Sequence, residues 1–121
     1  MIKSDLRPIL KLKKTSSPIE GFQNDILRPI LKLQNNSIVN LFNLYLENYK
    51  IALVSKPKEL LEQIKKICQK DKSLKNQLIG VTIGMLEDKE FKTYSEHSNE
   101  FNKRIIQMIT QRLFDNLTAV T

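Results

Sequence analysis

Residues 17–53, SPIEGFQNDILRPILKLQNNSIVNLFNLYLENYKIAL, decide the fold class. Ser17-Pro18-Ile19-Glu20 is a capping box with proline at the first helical position. The Ser17 oxygen can accept from a backbone N–H, Glu20 can reach back, and Pro18 gives up a donor that a first turn does not use. From there Ile19, Phe22, Ile26, Ile30, Leu33, Ser37, Leu41, Leu44 and Ile51 recur at steps of three, four and seven, which is one helical face. Pro29 lacks an N–H and its ring crowds the carbonyl four residues back, so a kink or break is expected near residues 25–28. Left unbroken, a helix over residues 18–53 would be roughly 55 Å long. That exceeds a domain of this size, so the helix breaks or is shared with a second copy of the chain.

Downstream, the same helical period continues. Lys56-Pro57-Lys58-Glu59 opens a helix with the apolar stripe Leu60, Leu61, Ile64, Ile67 and Cys68. Asp71-Lys72-Ser73 is a turn and cap, and Leu74, Leu78, Val81 and Met85 begin a further helix. Residues 78–86 are apolar almost all round, which predicts the buried central helix. Glu87-Asp88-Lys89-Glu90 restarts the chain, residues 95–99 are polar enough for a break, and Phe101, Ile105, Met108, Ile109, Leu113 and Leu117 form a last amphipathic helix. No stretch alternates with period two for long enough to be a strand. The reading is an all-α bundle of four or five helices, with a long Pro29-interrupted helix near the N-terminus. Residues 17–121 form a single helical domain, preceded by a basic tail over residues 1–16.

Working back from the opening stretch, a repeat appears. Leu6-Arg7-Pro8-Ile9-Leu10-Lys11-Leu12 recurs identically as Leu27-Arg28-Pro29-Ile30-Leu31-Lys32-Leu33, 21 residues later. Two copies do not make a solenoid. One reading is a local duplication whose first copy is a tail of little consequence. The other is that both copies fit one kind of groove, so that the first docks on its own chain or on a neighbour. Leu6, Arg7, Ile9, Leu10, Leu27, Arg28, Ile30 and Leu31 are the candidate docking residues.

The chain has 121 residues and a formal net charge of +7. Residues 1–14 and residues 56–75 each carry a net +4, so the remainder is −1. The second patch comprises Lys56, Lys58, Lys65, Lys66, Lys70, Lys72 and Lys75. Such patches bind phosphate backbones by counterion release, and the turn at residues 70–73 has helix-turn-helix spacing. A recognition helix, however, needs a sustained polar face, and residues 78–86 are apolar. No aromatic residue lies between Tyr49 and Phe91 to stack on a base.

Catalytic constellations are scarce. One cysteine excludes a disulfide framework and a multi-cysteine zinc site. One histidine, His97, has Tyr94 rather than glutamate three residues before it, so the Glu-x-x-His pattern of helical di-metal sites is missing. Cys68 reads as a small buried hydrophobe and His97 as a solvent-facing residue near a helix start. Gly80 and Gly84 form G-x-x-x-G, which predicts close approach of two helices inside the core. Neither sits in a phosphate-binding loop. No cofactor or metal is expected.

The segment Phe22-Gln23-Asn24-Asp25-Ile26-Leu27-Arg28-Pro29-Ile30-Leu31-Lys32-Leu33-Gln34-Asn35 resembles a family of short, uncharacterised bacterial proteins. Gln69-Lys70-Asp71, Ile79-Gly80 and Asn102-Lys103-Arg104 fit the same pattern, so the resemblance covers residues 22–117 and leaves the first repeat copy outside. It implies no established activity. Some members carry a glyoxalase label, but glyoxalase-type metal enzymes resemble paired β-rich modules with His and Glu ligands spread over strands. This chain has one His and no strand pattern, so no catalytic residue is carried over.

Neither an apolar signal core in residues 1–14 nor an uncharged stretch able to span hydrocarbon is present, which predicts a cytoplasmic protein. The expected function is a non-enzymatic helical protein that acts through protein contacts, as a homo-oligomer or with another protein. Weak nucleic-acid binding through residues 56–75 is the first alternative, and an enzyme with an unfamiliar site the second.

Overall fold

Pro29 is accommodated by a change of helix type. In the computed structural model, which describes residues 18–119, α1 (Pro18–Phe22) passes directly into a π-helical turn (Gln23–Leu27) and then into α2 (Arg28–Leu33). The backbone stays right-handed helical at Phe22, Leu27 and Arg28, and the Arg28 N–H donates to the Gln23 carbonyl five residues back. The wider turn gives the proline ring room that a regular α-turn would deny it. The interruption falls one turn later, at Gln34, whose φ of −92° and ψ of 12° leave the helix. Gln34 keeps its place because its side-chain amide donates to the Val81 carbonyl at 3.1 Å.

α3 (Asn35–Asn48) follows, then α4 (Pro57–Lys70), α5 (Lys72–Ile83), α6 (Asp88–Glu96) and α7 (Ser98–Thr118). Every regular element among the described residues is helical. The chain divides more finely than four or five helices, because the π-turn and Gln34 split the first run and His97 (φ −138°, ψ 40°) separates α6 from α7. Local caps fix these starts. The Asp71 carboxylate accepts the Leu74 N–H at 2.9 Å, and Glu87 and Glu90 make a reciprocal capping box at α6. Between α3 and α4 the chain lacks regular structure, and Gln63 pins it there. Its side-chain oxygen accepts the Val54 N–H at 2.9 Å and its amide donates to the Ala52 carbonyl at 3.0 Å.

One core holds the helices together. α2 contributes Pro29, Ile30 and Leu31; α3, Ile38 and Phe42; α4, Leu60, Ile64 and Cys68; α5, Leu74, Leu78, Ile79 and Thr82. α7 lies in the middle, packed on α3, α4, α5, α6 and the π-turn, and buries Phe101, Ile105, Ile106, Ile109, Thr110 and Leu113. This corrects the expectation that residues 78–86 form the central helix. α5 covers α7 from one side, and Asn76, Gln77 and Gly80 face solvent. The close approach expected at Gly80 and Gly84 is absent as well: a Cβ on Gly80 would meet nothing within 4 Å, and one on Gly84 would meet only the Gly80 carbonyl, at 3.1 Å.

The helical face read from residue 19 onward holds at Phe22 and slips within the π-turn, where Leu27 rather than Ile26 is fully buried. Ser37 is exposed and Leu44 is 53% exposed, whereas Ile38 and Phe42 are fully buried. The π-turn and Gln34 together rotate α3 about its axis relative to a continuous α-helix, so its buried line moves along by one position.

Candidate functional site

Of the docking residues proposed in the second copy, three belong to the core. Leu27 and Ile30 are inaccessible to solvent and Leu31 nearly so. Arg28 is exposed, and its Nε donates to Asn24 Oδ1 at 2.9 Å. Leu6, Arg7, Ile9 and Leu10 lie outside the described residues. The seat of the second copy runs along α7. The Phe22 and Phe101 rings lie 4.6 Å apart, tilted by 44°. An Arg104 guanidinium N–H donates to Gln23 Oε1 at 2.8 Å, and Asn35 Oδ1 accepts from Arg112 at 3.2 Å and from Asn116 at 3.1 Å. Both sets of positions ascend, so residues 22–35 and α7 run in the same direction.

A shallow cleft of about 390 Å³ opens on this seam, with Arg28, Arg104 and Arg112 in its wall. Each guanidinium has partners. Besides Gln23, Arg104 holds Glu100 Oε1 at 2.8 Å through Nε. Burial lowers the pKa of Arg112 from its usual value, Asp115 opposes that shift, and Arg28 adds to it. The sequence reading missed this arginine group, although Glu100, Arg104, Gln111, Arg112 and Asp115 form a polar face at helical spacing.

The lysine patch is divided by the fold. Lys58 and Lys66 line a groove together with Glu59 and Glu62, and Lys65 Nζ lies 3.6 Å from Glu62 Oε1. That half has its own carboxylates beside it, with one exposed ion pair that contributes little to stability. Lys72 and Lys75 line a different cleft, of about 620 Å³, where Lys103 of α7 joins them. Lys56 and Lys70 are exposed and border neither cleft. Lys103 and its neighbours Asn99 and Asn102 had no signal in a reading by charge runs, because they lie about 30 residues further on.

An apolar groove of about 460 Å³ is lined by Leu53, Val54, Pro57, Leu60 and Leu117. Val54 and Leu117 are exposed there.

Cys68 is fully buried, and desolvation pushes its thiol up to about 11, against a hydrogen bond from Thr110 that acts the other way. It is protonated at neutral pH and serves as a packing residue. His97 is exposed, its ring edge-on to Phe101 at 6.3 Å. Among the described residues no three His, Cys, Asp or Glu side chains gather as metal ligands, and no helix is long and apolar enough to cross a membrane.

Comparison with protein-family models, with curated proteins and with solved structures finds no match. The chemistry of these surfaces rests on their own geometry.

Proposed function

We propose that the protein is non-enzymatic and acts through protein contacts, chiefly with further copies of itself, by exchange of the LRPILKL segment. One observation supports this reading above others: the second copy is a structural part of the core, and the first copy repeats its side chains at identical spacing. A seat that fits Leu27, Ile30 and Leu31 fits Leu6, Ile9 and Leu10. Burying such a side chain stabilises by roughly 1.5–3 kcal/mol, and exchange conserves that contribution.

What exchange loses lies upstream. In the frame of the first copy, Met1 and Ile2 stand where Phe22 and Gln23 stand. The Phe22–Phe101 ring pair and the Gln23–Arg104 hydrogen bond are therefore not remade. The chain's own second copy is also tethered beside its seat at high effective concentration. The second copy prevails in dilute solution, and exchange grows with protein concentration. In this reading residues 18–48 act as one packing unit, widened before Pro29 and interrupted at Gln34, which with α4 to α7 makes a bundle of five. A buried, protonated lone cysteine suits a reducing cytoplasm.

The test is sedimentation velocity over a wide concentration range, on the full chain and on the double variant Ile9→Asp with Leu10→Asp. The expected result is a mass that rises with concentration for the parent and stays monomeric for the variant, with equal helicity. A parent that remains monomeric throughout, or a variant that associates equally, overturns the reading.

A further inference from the structure

Three lysines share the cleft between α5 and α7 without a carboxylate to balance them. Lys72 is the first residue of α5, Lys75 lies in its first turn, and Lys103 comes from the second turn of α7. No acidic residue lines this cleft, and among the described residues none of the three lysines has an ion-pair partner. The neighbouring surfaces differ in having carboxylates in their lining. Lys58 and Lys66 share their groove with Glu59 and Glu62, and the arginine cleft contains Asp115.

Gathering three cations is unfavourable for the empty protein. Like charges repel across a cleft whose low-dielectric walls focus the field. Lysines in the first turn of a helix also meet the positive end of its dipole, which the Asp71 carboxylate at the α5 N-cap offsets only in part. The rest of the lining fits a ligand. Five carboxamides line it, Asn76 and Asn99 among them, and offer neutral N–H donors and C=O acceptors, although the Asn102 oxygen already accepts from the Tyr94 hydroxyl. Ile79 and Ile106, both buried, form an apolar floor. The volume of about 620 Å³ lies within the roughly 300–1,000 Å³ range of small-ligand sites.

We infer that this cleft binds the phosphates of a compact phosphate ester of nucleotide size, with the lysines on the phosphate oxygens and the uncharged part of the ligand on Ile79 and Ile106. Two sources can present that chemistry, a free nucleotide or one unit of a single-stranded nucleic acid. The lysines would make charge-assisted hydrogen bonds that weaken as salt rises. This inference is independent of segment exchange, since none of its residues belongs to either LRPILKL copy.

Calorimetric titration of the full chain with ATP, with inorganic pyrophosphate and with a single-stranded oligothymidylate, at low and moderate salt, tests it. The expected result is salt-sensitive 1:1 binding of ATP or the oligothymidylate, tighter than that of pyrophosphate because only they cover the apolar floor. Binding of ATP assigns the site to a free nucleotide, and binding of the oligothymidylate alone assigns it to a polymer. The double variant Lys75→Gln with Lys103→Gln should lose tenfold or more in affinity. Its thermal midpoint should be equal to or above the parent's, because repulsion is relieved. The control Lys58→Gln with Lys66→Gln should bind as the parent does. Absence of binding by ATP and the oligothymidylate, pyrophosphate binding as tightly as either, or an equal loss in the control, overturns the proposal.

Discussion

Replacing Gly80 by alanine tests the placement of α5 directly. Gly80 lies within Lys72–Ile83, three residues from its end, has no positive φ, and faces solvent. The added methyl would meet nothing within 4 Å. Only two effects remain: alanine restricts the unfolded chain more than glycine does, and it shields the helical backbone better. Together they are worth about 0.5–1 kcal/mol in a helix interior. For a domain of about 100 residues, that raises the thermal midpoint by roughly 2–5 °C. Gly84→Ala is the internal comparison. Gly84 caps α5 at φ −61° and ψ −18°, where a Cβ would press on the Gly80 carbonyl at 3.1 Å. Its gain should be smaller than that of Gly80→Ala, or negative. The assay is thermal and denaturant unfolding followed by far-UV circular dichroism, repeated at two protein concentrations. A lower midpoint for Gly80→Ala would refute the reasoning, because it would mean that another surface closes on this face. If the loss appeared only at the higher concentration, that surface would be a second copy of the chain.

Two further outcomes follow from the core. Phe101→Ala should cost about 3–5 kcal/mol in denaturant unfolding, because its ring is buried between those of Phe22 and Tyr94; a loss under about 1 kcal/mol would show that these rings do not hold the first segment on α7. Cys68 sets an alkaline limit: its thiol lies at about 11 in the fold against 9.0 without the fold's influence, so the folded state keeps a proton that the unfolded state gives up, and stability is intact below about pH 9 and lost as pH rises towards 11. The loss is about 2–3 kcal/mol at most, and it should be missing from the pH profile of Cys68→Ala; identical slopes for variant and parent would sink the assignment.

The helical class was plain from residue 17 onward because capping and period agree there, and the stripe Leu60, Ile64 and Cys68 is buried as its spacing requires. The register of α3 was hidden for a physical reason. Periodicity assumes about 100° per residue, whereas the turn at residues 23–27 is a π-turn and Gln34 leaves the helix. Nothing in the local composition announces the change at Gln34. Pro29 pointed to residues 25–28, but the proline requires only that the carbonyl four residues back be moved, and a wider turn does that without ending the helix. A regular period therefore puts Ser37 and Leu41 on the buried face, one position before Ile38 and Phe42.

Charge was misleading in the opposite way, because it was grouped by proximity along the chain. Lys56 to Lys75 count as one patch in sequence, but a helix sends neighbours to different faces and α4 supplies its own counter-charges in Glu59 and Glu62. What faces a cleft without a carboxylate is a pair at the start of α5, and the packing of α5 on α7 adds a third lysine to it. That packing is made by buried apolar residues of both helices, Ile79 and Ile106 at the cleft among them, with no charge to reveal where they will carry their neighbours. The cleft is thus a product of the apolar core as much as of the lysines. Ile106→Ala, which removes part of the apolar lining shared with Ile79, should weaken ligand binding in the same calorimetric titration without touching any lysine, whereas a site made of net charge alone would not respond.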